Sequence, residues 1–289
     1  MQQLESLRTP ANGARFFDTR DQAIRQPTGE IKFSWSVSDP FLFNSAFDSS
    51  LIHYDSDYRT PNADIDGRDS VPTASYFTSL EKYLPSTPAI VDIGCGQGEF
   101  VNYLRESGHD AVGFDPVLRI SEPHLHRRYW DPSDEPADLY VMRCVLPHIP
   151  EPWTFVQSIA YSSPGSLALI EFQQLEWIIE NSIWYQFGHG HVNFFSVADF
   201  ERRYVVVDKG VFAEGEWAWV LIEADSYCPA TPRACDIEEE LEVLLLNRQV
   251  MLENARGLDC PIAIWGGGRQ RNCASARPSR SGSHAAHSN

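Results

Sequence analysis

The chain has 289 residues, 43% of them hydrophobic, with 23 Lys and Arg against 40 Asp and Glu for a net charge of −17. That is enough apolar mass for one large α/β domain with smaller additions, and it excludes global disorder. The acidic field disfavours nucleic acid as a partner, and no apolar run reaches the length that spans a bilayer.

Residues 1 to about 75 are polar with scattered aromatics, structured but irregular from Phe41 to Tyr58, and end in a loop cluster of Pro61, Asn62, Asp64, Asp66 and Gly67. Tyr76, Phe77, Leu80 and Tyr83 recur at helical spacing and predict a helix from about Thr73 to Leu84, broken by Pro85, Ser86 and Pro88. Ala89-Ile90-Val91-Asp92-Ile93 reads as a strand, followed by a glycine-rich turn and a helix from about Glu99 to Ser107 that Gly108 stops. Ala111 to Asp115, Ala137 to Met142 and Ser166 to Phe172 read as further strands. Tyr204 to Asp208 and Trp217 to Glu223 read as a final antiparallel pair separated by Gly210 and Gly215. Strands alternating with helices predict a mostly parallel sheet with helices on both faces. Asp236 to Arg256 is an amphipathic helix, and Pro261 to Gly268 reads as a new strand entering a glycine turn. The rest is rich in Arg, Ser, His and Ala without apolar periodicity, which reads as a truncated or frameshifted end and a disordered tail.

Six cysteines are scattered without a CxxC pair, so neither a disulfide framework nor a zinc site is expected. With no signal-peptide pattern at the N-terminus, the expected location is cytoplasmic.

The chemistry-bearing motif is the strand–turn–helix around Asp92-x-Gly94-x-Gly96-x-Gly98. Glycines let a ligand approach the backbone, and the amides at the helix start face it. An acid two residues before the first glycine suits a cationic amino-acid ligand better than a pyrophosphate, which it would repel. A second acid, Asp115, ends the next strand 23 residues on, at the distance where a carboxylate accepts from ribose hydroxyls. The pair favours S-adenosylmethionine (SAM) over a nicotinamide or flavin dinucleotide.

AIVDIGCGQGEF with GFDP resembles the class I SAM-dependent methyltransferases. The resemblance implies a Rossmann-like α/β fold with a mostly parallel seven-stranded sheet and an antiparallel strand at one edge. It implies that Asp92, Gly94, Cys95, Gly96 and Gly98 form the cofactor turn, that Asp115 and Pro116 hold the ribose side, and that Trp130 or Asp131 lies near the adenine. Arg143 and His148, in Asp138-Leu-Tyr-Val-Met-Arg-Cys-Val-Leu-Pro-His148-Ile-Pro, resemble the fourth-strand segment, with Pro147 where a Glu often stands.

A narrower resemblance is to the sugar C-methyltransferases, in Asn44-x-x-Phe47-Asp48, Tyr54 to Tyr58, Glu171 to Ile178, His191-Val-Asn-Phe-Phe-Ser196 and Ile262-Ala-Ile-Trp-Gly-Gly-Gly268. It implies methylation of a carbon beside a ketone on a nucleotide-linked sugar. Such chemistry needs a base for the carbon-bound proton and donors for the enolate oxygen. His191 is the candidate base, Tyr54 and Tyr58 the candidate donors, and Glu171 or Glu176 the candidate polarising acid. The chain reads His189-Gly190-His191 where that family reads Tyr-Glu-His, and its N-terminal zinc cysteines have no counterpart before Cys95. His189 itself reads as a loop residue. The expected organisation is a substrate-side extension (1–72), a SAM-binding domain (73–225), the start of an incomplete C-terminal α/β domain (226–268) and a tail (269–289). A small-molecule substrate is expected and the oligomeric state is open. The alternatives are O- or N-methylation of a natural-product intermediate, and a fold that binds SAM without catalysis.

Overall fold

A computed structural model describes residues 2–3, 6–11, 17, 19–35, 41–54, 70–183, 186–230 and 237–256. In chain order the strands are β1 (Gln2–Gln3), β2 (Leu7–Pro10), β3 (Thr28–Ile31), β4 (Phe33–Trp35), β5 (Leu42–Asn44), β6 (Ala89–Ile93), β7 (Asp110–Phe114), β8 (Leu125–His126), β9 (Leu139–Arg143), β10 (Leu167–Gln173), β11 (Asn193–Phe194), β12 (Val206–Phe212) and β13 (Trp217–Glu223). The helices are α1 (Arg20–Arg25), α2 (Ser70–Leu80), α3 (Glu99–Glu106), α4 (Pro152–Ser162), α5 (Leu175–Glu180), α6 (Val197–Glu201) and α7 (Ile237–Arg256). None of the described helices is long and apolar enough to cross a membrane.

Seven strands form the main sheet in the order β12-β13-β10-β9-β6-β7-β8. β6, β7, β8, β9 and β10 pair in parallel, and β13 runs against both β10 and β12. This is the expected Rossmann-like sheet, with the antiparallel strand one place in from the edge. The central strands are apolar on both faces because both are covered. Val91, Ile93, Tyr140, Met142, Ile170 and Phe172 meet Val156 and Ile159 of α4. Ile90, Val141 and Leu169 face the other way and meet Phe77 of α2 and Phe100 and Leu104 of α3. Each such side chain taken from water contributes about 1.5–3 kcal/mol.

Strand alternation also positions the polar residues. Asp92 follows Ile90 on the α2/α3 face, Arg143 follows Val141, and Glu171 follows Leu169. Parallel register sets Glu171 beside Arg143 and Asp92 beside Val141. Arg143 and Glu171 therefore share one rung at the carboxyl ends of their strands, and Asp92 stands one side-chain place before it on the same face.

The chain before α2 is more regular than its composition suggests. β1, β4 and β5 form a small antiparallel sheet whose fourth strand, β11, comes from the segment after α5. Ile31, Phe33, Trp35 and Leu42 are buried there with Leu175 and Ile178 of α5, Phe187, Phe194, and Leu241 and Leu244 of α7. These short strands escape a periodicity reading because each spans a few residues and completes its core with distant segments. A second difference concerns Gly210. It lies inside β12, against the indole of Trp219, where a Cβ would come within 2.7 Å. The turn instead falls at Ala213–Gly215, with positive φ at all three residues. Tyr58, Trp184, Tyr185 and the expected strand at 261–268 lie outside the described residues.

Candidate functional site

Ile93 ends β6 and the chain reverses over Gly94, Gly96 and Gly98, which have φ of +72°, +64° and +88°. At Gly94 a Cβ would come within 2.4 Å of Val145, and at Gly98 within 2.5 Å of Leu125, so conformation and space both demand glycine there. The amides of Gly94 and Cys95 donate to the carbonyl of Phe114 at 2.8 and 3.2 Å, which seats the turn on β7. Gly98 caps α3 without a side-chain bond, so the first amides of α3 face the turn uncapped. The Cys95 side chain points away, into the core against Gly113, and burial raises its thiol pKa.

Asp115 follows β7. One carboxylate oxygen accepts from the amide of Gly96 at 2.9 Å and the other from Val117 at 2.8 Å. Burial raises its pKa against the pull of these amides. Each oxygen keeps a lone pair, which fits a vicinal diol such as that of a ribose. Pro116 is half-buried beside it. Tyr129 is 66% exposed, and its phenol pKa is raised by partial burial and by the Asp115 charge, which sets it near that carboxylate. The resemblance pointed one and two positions further on. Trp130 is buried edge-on against Tyr140 and Phe155, and Asp131 is exposed and caps its own turn through Ser133. Tyr129 was overlooked because an aromatic in a polar loop has no periodic signal.

Beneath the turn lies the polar rung. Asp92 is fully buried, and one of its oxygens meets the Arg143 guanidinium at 3.3 Å while the other has no partner among the described residues. Arg143 also stacks on Phe100, 4.6 Å from the ring centre. Glu171 accepts from Thr73 at 2.7 Å and from the phenol of Tyr76, whose ring stacks on Trp219. Burial pushes the Asp92 carboxyl up to about 6, and the Arg143 charge only partly offsets that. Burial opposes the Arg143 charge in turn, but Asp92 and Glu171 outweigh it and the guanidinium pKa rises. One cation thus serves two buried carboxyl groups. The orphaned oxygen of Asp92 is an acceptor suited to a cationic ligand. Thr73 and Tyr76 are functional candidates that the sequence showed only as a helix face.

On the far side of the turn, Val145 packs on Gly94, and the loop it begins carries His148. This loop is stitched to the segment 186–193. The Val192 amide donates to the Pro147 carbonyl at 2.7 Å, and Asn193 donates to the Ile149 carbonyl at 2.7 Å. His148 donates from Nδ1 to the Gly190 carbonyl at 2.7 Å, and His191 from Nδ1 to the Gln186 carbonyl at 3.1 Å. The two rings lie 4.7 Å apart. With Nδ1 as donor in each ring, both Nε2 atoms are acceptors. Burial lowers the pKa of His148, and burial together with His148 lowers that of His191 to about 3. Sequence singled out both histidines, and the structure brings them together.

His189 does something else. It lies in a turn, as read, but is fully buried. Its Nδ1 donates to the Glu30 carbonyl at 2.7 Å, its Nε2 accepts the Asp48 amide at 3.2 Å, and its own amide donates to Thr9 at 3.0 Å. It ties three N-terminal segments to the histidine loop. Tyr54 is half-buried and engaged with its surroundings.

A family model described as a methyltransferase domain matches residues 70–204, from α2 to Tyr204. No curated protein matches the chain. Among solved structures, the chain is similar to the PH0226 protein of Pyrococcus horikoshii, at 14% identity and a TM-score of 0.43, over 57% of this chain and 95% of that one. It is similar to a SAM-dependent methyltransferase of Mesorhizobium loti, at 15% identity and a TM-score of 0.40, over 53% and 99%. It is also similar to the 1,6-didemethyltoxoflavin-N1-methyltransferase of Burkholderia thailandensis, at 14% identity and a TM-score of 0.39, over 54% and 77%. The family model covers the glycine turn, Asp115 and both histidines. The chain thus carries a methyltransferase domain over residues 70–204, with S-adenosylmethionine as its cofactor.

Proposed function

We propose that this SAM-dependent methyltransferase acts on a small molecule and, in the preferred case, methylates a carbon beside a ketone on a nucleotide-linked sugar or similar intermediate. The observation that carries the reading is His191. Its Nδ1–H is committed to the Gln186 carbonyl, so Nε2 offers a fixed lone pair, with the ring 4.7 Å from that of His148.

SAM supplies an electrophilic methyl group on a sulfonium. The glycine turn, the free Asp92 oxygen and Asp115 would hold its amino-acid and ribose parts, with Tyr129 on the adenosine side. His191 takes the carbon-bound proton on Nε2. The electron pair left on the substrate would then be free to take the methyl group that SAM supplies, with the thioether as leaving group. Tyr54 and Tyr58 are the proposed donors to the enolate oxygen. Glu171 lies in the Arg143 rung, bonded to Thr73 and Tyr76, and acts as a positioning residue for α2. The N-terminal residues 1–72 form the substrate-side extension, the 73–225 domain carries the chemistry, and the setting is cytoplasmic.

One observation favours a second reading. A conjugate acid held at about 3 makes His191 a weak base for a carbon acid. Methylation of a phenol or amine asks less of it, so O- or N-transfer to a natural-product intermediate is the alternative. Product NMR separates the two, through a new methyl on carbon or on a heteroatom. His191→Ala is expected to cut turnover by about 10²–10⁴-fold with S-adenosylhomocysteine affinity unchanged. Undiminished turnover in the variant defeats the assignment of the base.

A further inference from the structure

The acidic balance of the chain reverses at one place. Between Leu118 and Arg128 stand Arg119, Arg127, Arg128, His124 and His126, with Glu122 as the single acid. At the β8 edge of the sheet this stretch folds around an open cleft of about 460 Å³. One wall runs from Leu118 to Ser121 and the other from Leu125 to Arg128. Among the described residues no carboxylate lines it. Glu122 lies outside the lining and meets His124 at 2.9 Å. Arg128 is held by Asp134 at 2.8 Å and lies over the Phe114 ring. Arg127 is exposed and makes no ion pair or side-chain hydrogen bond among the described residues.

Leu118 and Leu125 are buried, so the cleft has an apolar base below a guanidinium rim. A positive concavity on a strongly acidic protein draws anions locally against the global field. Guanidinium forks match phosphate oxygens in pairs, and an apolar base takes a ring or a carbon chain. The cleft is tied to the cofactor turn. Gln97 accepts from the Arg119 amide at 2.9 Å and donates to the Val117 carbonyl at 3.3 Å.

We propose that the arginine cleft at the β8 edge binds a diphosphate-bearing small molecule, at a site separate from both the cofactor turn and the histidine pair. The inference does not depend on which atom the enzyme methylates.

The test is calorimetric titration of the full chain at low salt with inorganic pyrophosphate and with uridine diphosphate. Saturable binding is expected, and it weakens as salt rises. Arg127→Glu should weaken it by about tenfold, the scale of one charge-assisted hydrogen bond, and Arg119→Glu with Arg127→Glu should remove it. Both positions are exposed, so the variants keep the parent melting temperature, and S-adenosylhomocysteine affinity stays within about twofold. Uridine diphosphate binding more tightly than pyrophosphate identifies a nucleotide as the ligand, and equal affinities identify the diphosphate group alone. Absence of saturable binding by the parent overturns the proposal, as does undiminished binding by the double variant. Displacement of bound pyrophosphate by one equivalent of S-adenosylhomocysteine also overturns it, by assigning the cleft to the cofactor.

Discussion

The glycine turn and the histidine platform adjoin through Val145, yet different kinds of contact hold them. The turn is closed by neighbours in sequence. Gly96 donates to Asp115, 19 residues away, and Arg119 donates to Gln97, 22 residues away. The platform is closed by the N-terminal extension, and His189 reaches Asp48, Glu30 and Thr9 at separations of 141, 159 and 180 residues. A βαβ unit can satisfy its own backbone, so its motif is recognisable in isolation. The platform exists only after distant strands have paired.

The halves also differ in charge. On the cofactor side a carboxyl group is buried. Asp92 binds its proton up to about pH 6 in the fold, against 3.8 unfolded. Between these values the folded state holds more protons, so this contribution is lost as pH rises and regained as pH falls. In the histidine platform imidazoles are buried neutral. His191 stays unprotonated down to about 3, against 6.5 unfolded, and His148 shifts the same way. There the unfolded state holds more protons, so stability is lost as pH falls through the window from 6.5 towards 3. Acid relaxes one half and strains the other.

The severest challenge to this contrast is Arg143→Met. It leaves Asp92 and Glu171 buried without their cation. A loss of about 3–5 kcal/mol is expected by denaturant titration, with loss of S-adenosylhomocysteine binding. A variant of parental stability would remove the rung from the account of the site. His189→Ala comes next. It orphans the Asp48 amide and the Glu30 carbonyl, at a cost of about 1–3 kcal/mol for each group left unsatisfied. Turnover should collapse while cofactor affinity stays within about twofold, since the bonds of His189 run to Thr9, Glu30 and Asp48 and not to the turn. If cofactor binding fails as well, the two halves are one cooperative unit.

A milder test is acidification from pH 7 to 5, followed by hydrogen exchange. Protection should fall first in residues 186–196 and β5, and persist in β6 and β7. Loss of protection in β6 first would reverse the signs argued above. The smallest effect expected is from Tyr129→Ala, a three- to tenfold rise in the S-adenosylhomocysteine dissociation constant, the scale of one aromatic contact. An unchanged constant in Tyr129→Ala, with a raised one in Asp131→Ala, would return the adenosine side to the residue the resemblance named.

Asp92 shows where reading the chain stops. Its spacing from the glycines marks it as part of a cofactor unit. Strand alternation then turns its carboxylate to the α2/α3 face, where Arg143 takes one oxygen. That pairing depends on which strand becomes the neighbour of β6, and the neighbour is β9, 51 residues from Asp92 at the bond itself. Glu171 is similar. It was legible as an acid at a strand end, but the donors that hold it come from Thr73 and Tyr76, some 95 residues earlier.

The sequence by itself determined the βαβ unit, the cofactor class and the strand pattern of the main sheet, because these follow from periodicity, glycine spacing and residue chemistry over short spans, while His148 and His191 were singled out through the family resemblance. Tertiary structure alone decided the N-terminal sheet and its borrowed strand β11, the ionic rung beneath the turn and the structural work of His189. Each of these consists of contacts between segments too far apart for any local pattern to record, and each gains its energy only when folding removes both partners from water.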